Sequence, residues 1–245
     1  MTAAESTSER RYHHTSSAYV LPNDAIEQNR LDAQAVAIVE MTGGVPCLAP
    51  IRSMTNVTKA VDVGCGTGVA TLQIAGIFPS AKVYGLDISL IPEAVRKVAP
   101  ANIVWAVGNV LDVDHDKPGD DVMSREIFTS GGLDYIFGRA EQSGLSTRAG
   151  TDAAPIMKDA GLEIISVQTF EFPFVPSRKT PNSQTMSEYV QAKLVPNYLE
   201  LLRKMLGPQG ITGDELERLT MGSFRDITSE EGLHQKYTVT IARKP

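Results

Sequence analysis

The sequence predicts an α/β fold in which a doubly wound, mostly parallel sheet carries helices on both faces. Short apolar runs typical of buried strands alternate with segments of helical periodicity. The first run continues into the glycine-rich stretch Asp62-Val-Gly64-Cys-Gly66-Thr-Gly68, and a second run, Val83-Tyr84-Gly85-Leu86, ends in Asp87. With 245 residues the chain can bury one substantial core, so a single domain with appendages is expected.

The first half of the chain is predicted to contain four strands separated by helices. Residues 1–17 are polar and small and are expected to form a disordered tail. Asn23 or Asp24 can cap the first helix, which Gly43-Gly44 would end. Strands are predicted at about 59–64, 82–87, 103–107 and 133–137. Helices are predicted at about 68–77, around Pro92 with Ser89 as its cap, and at 122–128. The apolar residues of the first helix are Ile26, Leu31, Ala35, Ile38 and Val39. In the helix at Pro92, the apolar residues Ala94, Val95 and Val98 are expected to face inward.

The second half is predicted to be less regular. A helix at 152–160 ends at Gly161, and a long alternating strand follows at 162–174. A polar linker at 177–185 precedes a helical segment at 186–206, which Pro196 is expected to kink or split. A helix near 214–221 and a strand at 236–243 complete the chain.

Composition narrows the classes of partner. The net charge of −6 shows no excess of basic residues of the kind that binds nucleic acid or an anionic membrane. A small-molecule or protein substrate is therefore favoured. Cys47 and Cys65 are the only cysteines and form no CxxC pair, which predicts neither a disulfide framework nor a zinc site. No signal peptide or membrane span is apparent, and a cytoplasmic location is expected.

The glycine stretch and Asp87 together predict a site for a nucleoside-bearing cofactor. Glycines let the backbone turn tightly against a ligand, and a carboxylate at the tip of the next strand can accept both ribose hydroxyls. A dinucleotide fingerprint needs a small residue five positions after its first glycine, where this chain has Val69. The alternative is a purely structural turn between a strand and a helix.

The spacing acid-x-Gly-x-Gly-x-Gly, from Asp62 to Gly68, resembles motif I of the class I S-adenosylmethionine (SAM) methyltransferases. The resemblance implies a Rossmann-like methyltransferase sheet and SAM as cofactor, with the turn passing under its methionine and ribose portions. The cofactor-binding residues it implies are Asp62, Gly64, Cys65, Gly66, Gly68, Asp87 and Ile88. Cys65 is interpreted as a small filler of the turn rather than a nucleophile.

The segment from Tyr19 to Gln34 resembles the N-terminal helix of fungal SAM methyltransferases of secondary metabolism. The resemblance implies that this helix folds over the cofactor, that Tyr19 reaches the methionine carboxylate and that Arg30 stabilises the lid. Alternatively, Tyr19 only anchors the helix by packing, and Arg30 lies on a solvated face. Residues after strand three would line the adenine pocket, which makes Asn109 and Val110 candidate contacts; alternatively, Asn109 only starts a loop.

The chain departs from this family after strand four. Thr151 follows Phe137 by only fourteen positions, and the residues between them contain no apolar strand where the family has its fifth. The predicted sheet therefore lacks one usual strand, and a partner in a homodimer is one source of a replacement. The expected division is a tail at 1–17 and one domain at 18–245, comprising a helical lid (18–58), a cofactor-binding half (59–139) and a shortened substrate half (140–245).

No catalytic residue is assigned. The imidazoles are His13, His14, His115 and His234, and each has a structural or solvated explanation. The acidic loop at 112–121 lacks the glycine and glutamate of a calcium loop, so no metal site is predicted. Tyr189, Tyr198, Met186, Met205 and Met221 are interpreted as core residues rather than a substrate pocket. Three functions remain open: a small-molecule O-, N- or S-methyltransferase, a methyltransferase-like regulator acting through protein partners, and an inactive SAM-binding remnant.

Overall fold

The computed structural model describes residues 22–45, 47–109, 149–176, 183–229 and 234–245. The helices are α1 (Ala25–Met41), α2 (Val69–Ile77), α3 (Glu93–Val98), α4 (Ala149–Asp159), α5 (Gln184–Tyr189), α6 (Val195–Leu206) and α7 (Gly213–Ser229). The strands are β1 (Lys59–Val63), β2 (Lys82–Asp87), β3 (Ile103–Val107), β4 (Glu163–Pro173) and β5 (His234–Arg243). The tail, Tyr19, Val110, the helix at 122–128, the strand at 133–137 and the region of the missing strand lie outside the described residues.

Strands β1, β2 and β3 form a parallel sheet with β2 at its centre. Asp62 is opposite Gly85, which in turn is opposite Trp105, so the carboxyl ends of the three strands meet at one edge. Helix α2 packs on this sheet. The arrangement confirms the predicted α/β class, because parallel strands joined by a crossover helix are its defining unit.

Strands β4 and β5 form a separate antiparallel pair. Their pairing runs from Glu163 opposite Arg243 to Pro173 opposite His234, with a register irregularity between Ile164 and Ser166. Both strands were predicted to within two residues of their ends, because each alternates apolar and polar residues over a long run.

Helix α1 contacts both the parallel sheet's glycine turn and the second half of the chain. Its Ala37 and Met41 belong to a buried cluster that also contains Phe172, Phe174, Met186, Tyr189 and Val190. Farther toward its N-terminus, α1 reaches the glycine turn through Leu31 and Asp32. The core interpretation of Met186 and Tyr189 is confirmed, whereas Met221 is 62% exposed and belongs to no core.

One prediction about a helix face was wrong. Val98 was expected to face inward, but it is 76% exposed in α3, since this helix has only six residues. In α1, Ile26 is 45% exposed and the helix buries the polar pair Glu27 and Arg30, whose side chains bond to each other. Pro92 precedes α3 directly, so Ser89 lies outside it and does not cap it.

Pro196 divides the long C-terminal helical segment as predicted. Helix α5 gives way to a π-helical stretch at Val190–Leu194, and α6 begins with Pro196 in its first turn. A proline lacks the N–H that an α-helical interior requires, and a wider turn before it accommodates that loss.

Replacing Asp24 by alanine is expected to reduce the free energy of unfolding by about 1 kcal/mol. The Asp24 carboxylate caps α1 by accepting a hydrogen bond of 3.0 Å from the Glu27 amide. Urea denaturation measures the effect, with Asn23→Ala as the neighbouring control. Equal losses in the two variants would show that the cap contributes nothing specific.

Candidate functional site

The glycine turn after β1 has a backbone that only glycine adopts readily. Gly64, Gly66 and Gly68 have φ of 70°, 55° and 87°, in the left-handed region. The amides of Gly64 and Cys65 both donate to the Leu86 carbonyl, at 2.8 and 3.0 Å. The turn is therefore attached to β2 at the edge where ligands bind in parallel sheets.

Asp87 lies at the end of β2 with its carboxylate held in place by backbone amides. One oxygen accepts from Gly66 at 2.8 Å, and the other accepts from Ser89 at 2.8 Å. The Asp87 carbonyl accepts from Gly108 after β3 at 2.9 Å, which places Asn109 next to this edge. A carboxylate oxygen has more than one acceptor direction, so Asp87 can accept further hydrogen bonds from a ligand.

Asp62 supports the turn from within β1. Its carboxylate accepts a hydrogen bond of 2.6 Å from the Thr71 hydroxyl of α2. Burial raises the pKa of Asp62 and the nearby negative charge of Asp87 raises it further, while the bond from Thr71 opposes the shift. In this arrangement Asp62 joins β1 to α2.

Trp105 of β3 packs under the turn, a contact that was not predicted from the sequence. A methyl group on Gly68 would lie 2.7 Å from the indole, and one on Gly85 would lie 2.5 Å from it. Gly85 has an ordinary φ, so its role is to make room for the ring. A glycine inside β2 was the available signal, because glycine within a strand often marks the close approach of another group.

The Cys65 thiol is expected to resist alkylation while Cys47 reacts. Cys65 is buried and Cys47 is exposed. Burial and the charges of Asp62 and Asp87 raise the pKa of Cys65 to about 12, so almost no thiolate forms at neutral pH. Mass spectrometry after brief iodoacetamide treatment should find one modified cysteine, and none in Cys47→Ser. Rapid labelling of that variant would contradict the structure.

Arg30 anchors α1 to α5. Its guanidinium donates to both Glu27 carboxylate oxygens, at 2.6 and 2.9 Å, and to the Tyr189 hydroxyl at 2.5 Å. Arg30 is 4% exposed, so the alternative of a solvated side chain was wrong. Burial alone would lower its pKa, but the hydrogen bonds and charges of Glu27 and Tyr189 raise it, and the group stays cationic. Periodicity provides no signal for a contact between residues 159 positions apart.

The residues at the edge of the sheet fit the nucleoside end of a cofactor. A Cβ on Gly64 would meet nothing within 4 Å, so the backbone there borders open space. The fixed acceptor of Asp87 stands beside the turn, and a ribose presents two donors that match it. Ile88 and Asn109 lie at the ends of neighbouring strands and are partly buried.

Among the described residues, no group of three or more His, Cys, Asp or Glu side chains is arranged to hold a metal ion. Within the same residues, no helix has the length and apolarity needed to cross a membrane.

This sheet edge, with its glycine turn and terminal aspartate, resembles the cofactor end of class I methyltransferases. No family model matches the chain. Sequence similarity relates it to methyltransferase str2 of Strobilurus tenacellus, at 32% identity over 94 residues. It also relates the chain to the secondary metabolism regulator laeA of Aspergillus flavus and Aspergillus fumigatus, at 30% and 33% identity over 109 residues.

These matches cover 38 to 40% of this chain but only 32% of str2 and 28% of the two laeA proteins. Over that part the chain is similar to a fungal protein named as a methyltransferase and to fungal regulators of secondary metabolism, in line with the resemblance of its motifs.

Solved structures show weaker likenesses. Phosphoethanolamine N-methyltransferase 2 of Haemonchus contortus aligns with a TM-score of 0.45 and 16% identity, over 94% of this chain and 61% of that one. Geranyl diphosphate C-methyltransferase of Streptomyces coelicolor aligns with a TM-score of 0.40 and 14% identity, over 97% and 92%.

Proposed function

We propose that the chain binds SAM at the glycine turn and transfers its methyl group to O, N or S of a small molecule, a fungal secondary metabolite. The observation that carries the proposal is the Asp87 carboxylate, fixed by two backbone amides beside an open turn. The relationship to a fungal protein named methyltransferase supports the reaction class. The secondary-metabolism context comes from the laeA relatives.

Each part of the cofactor has candidate contacts along the sheet edge. Asp87 would accept the ribose hydroxyls, and Gly64, Cys65 and Gly66 would border the methionine portion. Gly68 and Asp62 would hold the turn, as their contacts with Trp105 and Thr71 indicate. Ile88, Asn109 and Val110 would contact the adenine, and Tyr19 the methionine carboxylate.

Bound SAM would supply a methyl group on a positively charged sulfur, which departs in an in-line displacement. Because that charge disperses as the methyl leaves, positioning and exclusion of water can provide most of the catalysis. The site therefore needs no dedicated base, and none is assigned. Among the described residues the only imidazole is His234, which lies 3.8 Å from Glu171 on the antiparallel pair.

Asp87→Ala is expected to weaken S-adenosylhomocysteine binding by about a hundredfold, because two hydrogen bonds to a charged acceptor are lost. Asp87→Asn should weaken binding less than Asp87→Ala does, since the amide keeps one oxygen acceptor. Calorimetric titration measures both affinities. Glu93→Ala is the control, because its carboxylate is 69% exposed on α3 and pairs with Lys97 at the surface. An unchanged affinity in Asp87→Ala would remove the ribose role.

A methyltransferase-like regulator is the second candidate, favoured by the laeA relatives. An inactive SAM-binding remnant is the third. Incubation with SAM carrying a tritiated methyl group separates them. Label in small molecules supports the enzyme, label or stable complexes confined to proteins support the regulator, and binding without any transfer supports the remnant. At SAM concentrations below its weakened Kd, Asp87→Ala should strongly reduce any transfer that uses this site.

A single domain at 18–245 and a cytoplasmic location remain predictions. A small molecule as substrate, SAM as cofactor and a homodimer that supplies a missing strand are proposed with the function.

A further inference from the structure

Thr67 links the glycine turn to a side chain outside the parallel sheet. Thr67 lies between two left-handed glycines and is 6% exposed. Its hydroxyl donates a hydrogen bond of 2.6 Å to the carboxylate of Asp32 on α1. A bond between residues 35 positions apart therefore fixes the middle of the turn, where the backbone has the most freedom.

Asp32 is itself carried by a well-anchored helix. Two residues earlier, Arg30 bonds to Tyr189 of α5. Farther along α1, Ala37 and Met41 pack in the buried cluster with residues of β4 and α5. Leu31 lies against the turn as well, 3.5 Å from the position of a Cβ on Gly66. The helix can therefore hold a carboxylate at a defined place against the turn.

We propose that Asp32 is a positioning residue that fixes the glycine turn, through Thr67, in the geometry that receives the cofactor. The inference rests on the proposed SAM site. Asp32 acts on the backbone of the turn: with Thr67 held, the Gly66 amide stays directed at Asp87. Contacts with α1, in addition to those with the sheet, therefore hold the turn in place.

Amide hydrogen exchange tests the positioning without any cofactor. In Asp32→Ala the amides of Gly66 and Gly68, bonded to Asp87 and Cys65, should exchange about tenfold faster. Glu40→Ala is the matched control: it removes a carboxylate of the same helix that accepts from Thr185 on α5 instead. Unchanged exchange in Asp32→Ala, or equal acceleration in Glu40→Ala, would overturn the inference.

Titration with S-adenosylhomocysteine then tests the consequence. Asp32→Ala and Thr67→Val should each raise the Kd about tenfold, and the double variant no further, because both remove one bond. Thr67→Ser, which keeps the hydroxyl, should bind within about twofold of the wild type. Additive losses would overturn the inference. Faster exchange in Asp32→Ala with no binding by the wild type would instead remove the proposed function and leave the positioning of the turn established.

Discussion

Replacing Gly85 by alanine is expected to lower the free energy of unfolding by about 2 to 3 kcal/mol, the cost of overpacking a fitted interior. The new methyl group would lie 2.5 and 2.6 Å from two atoms of the Trp105 ring and 3.0 Å from the Thr71 hydroxyl. None of these groups is the flexible end of a side chain. The strand at the centre of the parallel sheet or the ring below the turn must shift, so SAM binding should weaken as well.

Urea denaturation followed by fluorescence measures this loss, because Trp105 is the chain's single tryptophan. Gly76→Ala is the matched control. It makes the same substitution in α2, where a Cβ meets nothing within 4 Å, and should stabilise by about 0.5 kcal/mol because alanine favours helix. Combining Gly85→Ala with Trp105→Leu should recover part of the loss; circular dichroism follows the unfolding of this variant, because it has no tryptophan. Two neutral alanine variants would show that the indole does not occupy this place.

Replacing Arg30 by methionine is expected to have the largest effect on stability, about 3 to 5 kcal/mol, because it leaves a buried charge without its partner. Side chains of Arg30 and Glu27 are 5% and 4% exposed, so water does not replace the lost contacts. The Tyr189 hydroxyl loses its donor too. Burial raises the pKa of Tyr189 although Arg30 opposes this, so the phenol stays neutral and the uncompensated charge is that of Glu27.

The double variant Glu27→Gln, Arg30→Met tests this explanation. It removes the charge together with its partner and should recover part of the stability lost in Arg30→Met. Arg203→Met is the control, because Arg203 pairs with Glu200 on α6 while 56% exposed and should change stability by less than about 1 kcal/mol. Equal losses for Arg30→Met and Arg203→Met would contradict the buried network.

Short stretches of the sequence were sufficient to predict the strands and the glycine turn. Strands β2 and β3 have the predicted ends, because each is a short apolar run bounded by polar residues or glycine. The three glycines form the tight turn that was predicted, and each has a left-handed backbone. Pro196 splits its helix because the lost N–H is a property of that one residue.

Contacts between distant residues were not predictable in this way. Apolar periodicity assigned Val98 to a buried face, yet it is exposed, since the neighbours of a helix decide which face it buries. The bond of Arg30 with Tyr189 and that of Asp32 with Thr67 join polar residues, to which hydrophobic patterns do not respond. The alternatives for Arg30 could be separated only by a structure. The cofactor roles of the candidate residues remain predictions.

We expect the turn after β1 to bind SAM. Calorimetric titration of the folded chain with S-adenosylhomocysteine, beside Gly66→Val, tests it most directly. At φ of 55° a β-branched residue is strongly disfavoured, so the variant must reshape the turn. The wild type should show saturable one-to-one binding that Gly66→Val abolishes, while Trp105 fluorescence still reports a folded protein. Absence of binding by the wild type, or equal binding by both proteins, would contradict a SAM site at this turn.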